Sequence, residues 1–350
     1  MAEVWVSTWG HDVEELIANF QRFEAAGVHG VSFSDSQNLW FDTWVALTLA
    51  ARETDRIKLG PIVTSPMTRH PAVTAGAAAS ANEVAEGRLM MGVGRGDSAH
   101  AYLGHGLTPF AQFEEWLLRV QSYLRGEEVE FDSRYAPTVP ALDSLGYADA
   151  PTASKIQWLP TDRPKVPVMI ATSGPRVLRL AATHTEGAVL GMGCNHERIA
   201  GAVELARTAA SDAGNDDFTM MAIIPVVPHH EPDTALRIGK SIAQTMARWS
   251  VMDNSNRNMD PAKRAAAEQA RQAYDMNRHG SGGQQAQATE EMARDYAVFG
   301  TPDECVAQLE DLAALGIDRF LIPSALRGGS EELRSTVQDL LLDEVVAALV

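Results

Sequence analysis

The sequence predicts an α/β fold, a (β/α)8 TIM barrel with insertions, and three observations support this prediction. Apolar strand-like segments alternate with amphipathic helix-like segments along most of the 350 residues, which is the pattern of βα units on a parallel sheet. About eight strands can be counted, the number that such a barrel requires. Two of these strands run directly into glycine-rich turns. A doubly wound open sheet is the alternative fold that the same alternation allows.

The first four βα units are regular, except for an irregularity in the third strand. Residues 57–63 form a nearly continuous apolar run, as expected of a strand that is buried on both faces. Pro61 within this run removes a hydrogen-bond donor, so we expect a bulge or an open end there. The predicted strands are Val4–Ser7, Val31–Ser34, Ile57–Val63 and Arg88–Val93, and the helices are Val13–Ala26, Thr43–Glu53, Pro71–Glu86 and Phe110–Leu124.

The second half of the chain supplies the remaining units and two segments that do not fit the barrel pattern. Residues 127–164 contain five prolines, and we expect an excursion there with a hairpin of 129–131 and 155–158. Residues 231–298 are helical with polar stretches, which suits either a lid over a site or an excursion without function. The chain is therefore predicted to be one barrel domain over 1–350 with these two insertions. The predicted strands are Val166–Thr172, Gly187–Leu190, Thr219–Val227 and Arg319–Ile322, and the helices are Pro175–Thr183, His196–Ala213, Pro302–Leu315 and Glu331–Leu349.

Charge and composition predict a cytoplasmic enzyme that acts on a small molecule. The formal net charge is −17, from 29 basic and 46 acidic residues, and such a surface repels nucleic-acid phosphates and anionic lipid. No apolar run reaches the roughly 18 residues of a membrane span, and the N-terminus lacks the pattern of a secretory signal. Cys194 and Cys305 lack metal-type spacing and suit a reducing compartment.

Small and polar residues follow three neighbouring strands at their carboxyl ends, where parallel α/β proteins bind ligands. Gly94-Arg95-Gly96-Asp97-Ser98 follows the fourth strand, although Asp97 could instead cap a helix. Ser173-Gly174-Pro175 begins the helix after the fifth strand, and its free N–H groups and positive dipole end suit a phosphate. Gly191-Met192-Gly193 follows the sixth strand and is expected to face that phosphate. The second and third turns are therefore predicted to form the two halves of a phosphate site, and the turn after the fourth strand is predicted to contact the same ligand elsewhere.

Four blocks of the sequence resemble the luciferase-like flavin- and deazaflavin-dependent oxidoreductases, in particular the branch of the methylenetetrahydromethanopterin reductases that use coenzyme F420. The blocks are 57–71 (IKLGPIVTSPMTRHP), 88–99 (RLMMGVGRGDSA), 171–182 (ATSGPRVLRLAA) and 300–322 (GTPDECVAQLEDLAALGIDRFLI). The resemblance implies a homodimeric barrel that transfers a hydride between the deazaflavin C5 and a small organic substrate. An FMN monooxygenase of the same superfamily and a flavin-binding barrel without catalysis are the alternatives.

The resemblance also implies roles for particular residues. Asp35, at the end of the second strand, would lie beside the cofactor ring, although a helix N-cap is its structural alternative. Trp40 would flank the ring, and Ser36, which stands where some relatives have a proton-donating histidine, would contact the cofactor. His11 is a candidate proton donor, although a surface position is the favoured interpretation. The cofactor contacts implied by the resemblance are the non-prolyl cis peptide Ile62–Val63 with the adjacent Thr64, the turn with Gly94, Gly96, Asp97 and Ser98, and the two phosphate turns at 173–175 and 191–193, with Arg95 or Arg176 as the neutralising cation.

Overall fold

The computed structural model describes residues 2–135, 138–160, 162–252, 259–279, 288–324 and 330–350. The strands are β1 (Glu3–Thr8), β2 (Gly30–Phe33), β3 (Lys58–Pro61), β4 (Met91–Val93), β5 (Val168–Thr172), β6 (Gly187–Leu190), β7 (Thr219–Ile223), β8 (Val226–Pro228), β9 (Val298–Gly300) and β10 (Arg319–Pro323). The helices are α1 (Val13–Ala25), α2 (Thr43–Glu53), α3 (Pro71–Val84), α4 (Ser98–Ala101), α5 (Phe110–Leu124), α6 (Pro175–His184), α7 (His196–Asp212), α8 (Pro232–Ser250), α9 (Pro261–Gln272), α10 (Glu290–Tyr296), α11 (Pro302–Ala314), α12 (Glu331–Leu340) and α13 (Ala347–Leu349).

Within these ranges, eight parallel strands form the (β/α)8 barrel that the sequence predicts. The order of neighbouring strands is β3-β2-β1-β10-β7-β6-β5-β4. The two terminal strands of this order, β3 and β4, are joined by the isolated parallel bridges Leu59–Leu89 and Thr64–Val93. Because the sheet curves back onto itself at this seam, the open doubly wound alternative is wrong.

The expected irregularity near Pro61 lies at the same seam. β3 ends at Pro61, and the Ile62–Val63 peptide bond that follows it is cis, as the resemblance implied. Pairing with β4 resumes where the Thr64 N–H donates to the Gly92 carbonyl at 3.0 Å. The closure of the barrel and the residues expected to contact a cofactor therefore share one position in the fold.

The barrel interior is filled by large side chains from several strands. Trp5 of β1 is fully buried there and packs with Met90, Met169 and Met221. A Cβ atom on Gly30 of β2 would lie 2.3 Å from the Trp5 indole, so only glycine leaves room for this ring. The interior is thus a packed core, as is usual for barrels of this size.

Paired charges close the opposite, N-terminal edge of the barrel. Glu3 of β1 accepts from Lys58 of β3 at 2.6 Å and from Arg319 of β10 at 2.9 Å. Burial alone would raise the pKa of Glu3, but these two cations and their hydrogen bonds lower it to about 2. The N-terminal edge is therefore tied together by charge, while the polar residues of the candidate site lie at the carboxyl edge.

Two predicted elements differ in the structure. The strand predicted over 219–227 is divided into β7, which lies in the barrel, and β8, which pairs with β9 in a separate parallel ladder. The hairpin predicted within 127–164 is reduced, among the residues described, to one antiparallel bridge between Val129 and Ser154. Proline-rich sequence explains the second difference, because each proline removes a donor from a ladder.

The described part of 231–298 is a folded helical unit. Helices α8, α9 and α10 pack around a second apolar cluster that includes Ile238, Met246, Ala267, Ala293 and Tyr296. The polar residues 253–258 and 280–287 of the predicted loose stretches lie outside the described residues. Among the helices that the structure describes, none is long and apolar enough to cross a bilayer.

Candidate functional site

A cleft of about 1440 Å³ opens at the carboxyl ends of the barrel strands. Its walls come from the ends of the barrel strands and the loops after them, from α7, and from α8, α9 and the residues that follow α9. Almost all of the predicted site residues line this cleft, namely Asp35, Ser36, Trp40, Ile62, Val63, Gly94, Gly96, Asp97, Ser98, Ser173, Gly174, Pro175, Gly191 and Met192. Thr64 and Gly193 are the predicted residues that do not.

Asp35 lies in the cleft wall just after β2, with its side chain only 3% exposed. Its Oδ2 atom accepts from the Thr64 hydroxyl at 2.7 Å and from Arg69 Nη1 at 2.8 Å. Thr64 is therefore placed behind Asp35 and holds it. Within the described chain, Oδ1 has no comparable partner, so it is the carboxylate oxygen that is available to a ligand.

The structure does not support a helix N-cap role for Asp35, because Asp42 has that role. One oxygen of Asp42 accepts from the backbone N–H groups of Trp44 and Val45 at the start of α2. Its other oxygen accepts from Arg69 Nη2 at 2.7 Å. A single guanidinium is thus shared between the two carboxylates.

This environment changes the protonation chemistry of Asp35. Burial raises the pKa of the Asp35 carboxyl, and the opposing effects of Arg69 and the Thr64 hydrogen bond do not fully cancel this increase. Asp42 contributes to the increase by repulsion between like charges. A carboxyl with a raised pKa exchanges protons closer to neutral pH than an ordinary aspartate does.

The turn after β4 approaches the β3 seam closely because it contains glycine at two positions. A Cβ atom on Gly94 would lie 2.9 Å from Cγ2 of Val63. Gly96 has φ +99, and a Cβ atom there would lie 2.2 Å from the ring of His100. His100 is buried, with hydrogen bonds to the Gly106 carbonyl and the Ser65 hydroxyl, both at 2.9 Å. The glycines therefore let the turn pack closely on Val63 and His100 while its residues line the cleft.

Asp97 does not cap α4, which was its structural alternative. It makes no side-chain cap hydrogen bond and instead binds the guanidinium of Arg248 through both oxygens, at 3.0 and 2.7 Å. Trp249 Nε1 also donates to Oδ2 at 3.0 Å. Burial would raise the pKa of Asp97, but the charge and hydrogen bonds of Arg248 outweigh this effect and lower it. The neighbouring Ser98 hydroxyl lies 2.5 Å from that of Ser36, which joins the β4 turn to the end of β2.

The loop after β5 presents an open helix N-terminus to the cleft. Helix α6 begins at Pro175 after Gly174, and no side chain caps it, so its first free N–H groups can donate hydrogen bonds to an anion. Arg176 lines the cleft beside this terminus, with its guanidinium carbon 3.7 Å from the centre of the Phe110 ring. Gly191 lines the cleft beside this loop, with its N–H donating to the Thr172 carbonyl at 3.0 Å. Gly193 packs away from the cleft, since a Cβ atom there would meet the Asp295 carbonyl at 2.3 Å.

Aromatic residues form the wall near the first two strands. The Trp40 ring lies 6.1 Å from that of Trp9, centre to centre, and both rings line the cleft. His11 is exposed and outside the cleft, in agreement with the surface interpretation. Cys194 is buried, and burial raises the pKa of its thiol to about 12, which makes it unreactive as a nucleophile.

The sequence reasoning missed two arginines of the site. Arg69 belongs to a block that resembles the family, and this was the available signal, but its partners were not apparent. Arg248 carries no local signal, because its partner Asp97 is 151 residues away. Both arginines form charge-assisted hydrogen bonds that only the folded chain reveals.

Comparison with known proteins assigns the chain to a family. Residues 2–319 match the family described as luciferase-like monooxygenase. The match covers most of the chain, and the chain belongs to this family.

The chain is also similar to particular proteins of known activity. The chain is 26% identical over 326 residues to the 5,10-methylenetetrahydromethanopterin reductase of Methanolobus tindarius, covering 90% of this chain and 92% of that one. It is 33% identical over 241 residues to the F420-dependent glucose-6-phosphate dehydrogenase of Beutenbergia cavernae, covering 63% and 66%. The solved coenzyme F420-dependent tetrahydromethanopterin reductase of Methanopyrus kandleri shares the fold, with a TM-score of 0.70, 20% identity and 99% of each chain covered.

Proposed function

We propose that this protein is a coenzyme F420-dependent oxidoreductase that transfers a hydride between the deazaflavin C5 and a small organic substrate. The observation that carries the proposal is the cleft itself. It combines a glycine-containing turn, a helix N-terminus without a side-chain cap, and a buried carboxylate whose second oxygen has no partner among the described residues, all at the carboxyl edge of the barrel. The F420-dependent glucose-6-phosphate dehydrogenase among the relatives supports the choice of cofactor.

The residues of the cleft fit such a cofactor. The turn of Gly94 to Ser98 and the Ile62–Val63 bulge would hold the ring system, because both line the cleft and the glycines let the turn pack closely on Val63 and His100. The open N-terminus of α6 and Arg176 would hold the phosphate, through N–H donors and positive charge. When bound, the deazaflavin supplies the carbon that gives or receives the hydride.

The protein's own contribution is to orient the reactants and to manage one proton. Oδ1 of Asp35 is the atom that would hold or accept this proton, because Oδ2 already accepts two hydrogen bonds. Ser36 is a poor acid, so a hydroxyl at this position leaves the task to Asp35. Trp9 and Trp40 would exclude water from that end of the cleft.

Binding experiments on the purified protein test the proposal. We expect coenzyme F420 to bind with micromolar or tighter affinity in calorimetry, and FMN to bind at least tenfold more weakly. The Gly94→Ala variant should raise the dissociation constant for the coenzyme about tenfold or more, because its Cβ atom would meet Val63. Gly76→Ala is the matched control, since a Cβ atom there meets nothing within 4 Å, and it should bind like the wild type.

A turnover assay completes the test. Reduced coenzyme F420 is mixed anaerobically with a panel of carbonyl, alkene and nitro compounds, and the oxidised coenzyme with alcohols, while its visible absorbance is followed. Turnover without oxygen with at least one compound is the expected result. Tight binding of FMN alone, with oxygen uptake when reduced FMN is supplied, would instead favour monooxygenase activity, which the description of the family names. Binding of neither cofactor would contradict the proposal.

A further inference from the structure

The end of α8 contacts three of the loops that were predicted to surround the cofactor. Arg248 and Trp249 donate to Asp97 in the turn after β4. The Trp249 carbonyl accepts from the Ser173 hydroxyl after β5 at 3.0 Å. The Trp249 ring packs on Gly191 after β6, where a Cβ atom would lie 3.8 Å from Cε3. One helical turn thus joins three walls of the cleft.

We propose that Asp97 is a positioning residue, which seats Arg248 and Trp249 so that the indole of Trp249 becomes part of the wall that binds the cofactor. This inference rests on the proposed function and assigns a role to the helical insertion. Asp97 then acts through the geometry of α8 and carries no proton in the reaction.

The hydrogen bonds of Asp97 support this role. The carboxylate already accepts three hydrogen bonds from Arg248 and Trp249, two of them from a guanidinium in the fork geometry that fixes orientation as well as charge. The guanidinium also lies 4.2 Å from the centre of the Tyr274 ring, and its side chain is only 4% exposed. Because Arg248 is held between Asp97 and the Tyr274 ring, its position is fixed, and this also fixes the position of the adjacent Trp249.

The contrast with Asp35 supports the same conclusion. Oδ1 of Asp35 has no partner among the described residues, whereas both oxygens of Asp97 are engaged. An indole that lies between the loops after β4, β5 and β6 offers a flat apolar face with its polar N–H turned to the protein. Such a face suits a planar aromatic ligand, which is the chemical class of the cofactor ring.

The test compares Asp97→Asn, Trp249→Leu and the double variant Asp97→Asn/Arg248→Gln with the wild type. We expect each variant to raise the dissociation constant for coenzyme F420 about tenfold or more by calorimetry. At saturating cofactor, kcat should fall less than about threefold, so that the effect appears in binding and not in the chemical step. The double variant should bind no more weakly than Asp97→Asn alone, because the two residues act as one unit.

The double variant also guards against failure to fold, because it leaves no buried guanidinium unpaired. Asp339→Asn is the matched control, since Asp339 pairs with Arg22 at 2.5 Å on the outer surface, away from the cleft. A large loss of kcat in Asp97→Asn with unchanged affinity would overturn the inference, and so would variants that bind like the wild type. If the wild type binds only FMN, the same variants should weaken FMN binding about tenfold or more, and variants that bind FMN like the wild type would overturn the inference. A wild type that binds neither cofactor contradicts the proposed function itself, whereas failure of the variants alone contradicts only the inference.

Discussion

Asp35 and Asp97 are both buried aspartates at the carboxyl edge of the barrel, and each is held by an arginine, yet their protonation equilibria shift in opposite directions. The pKa of Asp35 is raised and that of Asp97 is lowered. Burial acts in the same direction on both, so the difference comes from the partners. Asp35 accepts one hydrogen bond from the Arg69 guanidinium, which donates a second one to Asp42. Asp97 accepts two hydrogen bonds from Arg248 and one from Trp249.

This comparison teaches how one barrel edge can hold two carboxylates for different tasks. A guanidinium that is divided between two carboxylates cannot neutralise both, so burial prevails at Asp35. A complete fork with an extra indole donor outweighs burial at Asp97. Pairs of acids whose surroundings separate their pKa values are a frequent mark of divided roles. In our proposals Asp35 exchanges a proton and Asp97 fixes structure.

The largest expected effect is that of Asp35→Asn on turnover. We expect kcat to fall by about 10²–10⁴-fold, the usual contribution of a general acid or base, because the amide cannot exchange the proton at Oδ1. Cofactor affinity should stay within a few-fold of the wild type, as measured by calorimetry beside single-turnover kinetics. Unchanged turnover would show that Asp35 takes no part in the reaction, and would contradict the proposal that Asp35 and Asp97 have different roles.

Much of the fold behind this comparison could be predicted from the sequence, because βα periodicity is local. The three glycine-containing turns were recognised as one site because parallel strands bring their carboxyl ends together. It was harder to predict which individual residues face the cleft. Gly193 turns away from the cleft although Gly191, two residues earlier, faces it, and Thr64 supports Asp35 from behind.

The electrostatic partners could not be predicted, because they depend on distant parts of the chain. Arg69 and Asp35 are 34 residues apart, and Arg248 and Asp97 are 151 apart. No periodicity in a sequence records which arginine reaches which carboxylate. The sequence of 231–298 suited either a lid or an excursion without function, and the apolar core formed by α8, α9 and α10 likewise depends on contacts between separate parts of the chain.

The second expected effect is on stability and concerns Asp97. Asp97→Asn should lower the free energy of unfolding by about 3 kcal/mol, because it leaves Arg248 buried without a counter-charge. Urea denaturation measures this change. Asp339→Asn, which breaks an exposed pair, should cost less than about 1 kcal/mol. Equal losses of unfolding free energy in the two variants would show that the buried Asp97–Arg248 pair stabilises the protein no more than an exposed pair does.

The pH dependence of stability should differ in sign at the two aspartates. Because the folded pKa of Asp97 is lowered, its contribution is present above the unfolded value of about 3.9 and is lost as the pH falls towards the folded pKa. Because the folded pKa of Asp35 is raised, its ionisation lowers stability as the pH rises from about 3.9 through that folded value. Unfolding curves of the wild type, Asp97→Asn and Asp35→Asn at several pH values separate the two contributions. Shifts of the same sign would contradict the comparison.

The smallest expected effect tests why Asp35 differs from Asp97. Asp42→Asn keeps the N-cap of α2, since asparagine caps helices as well as aspartate does, but it removes the charge that shares Arg69. The pKa of Asp35 should then fall, because Asp42 raises it by repulsion, and the acidic limb of the kcat/KM profile should move to lower pH by less than about one unit. Glu53→Gln on the same helix removes an equal charge at an exposed position and should leave the limb in place. A limb that moves to higher pH, or equally in both variants, would show that sharing of Arg69 does not set the protonation of Asp35.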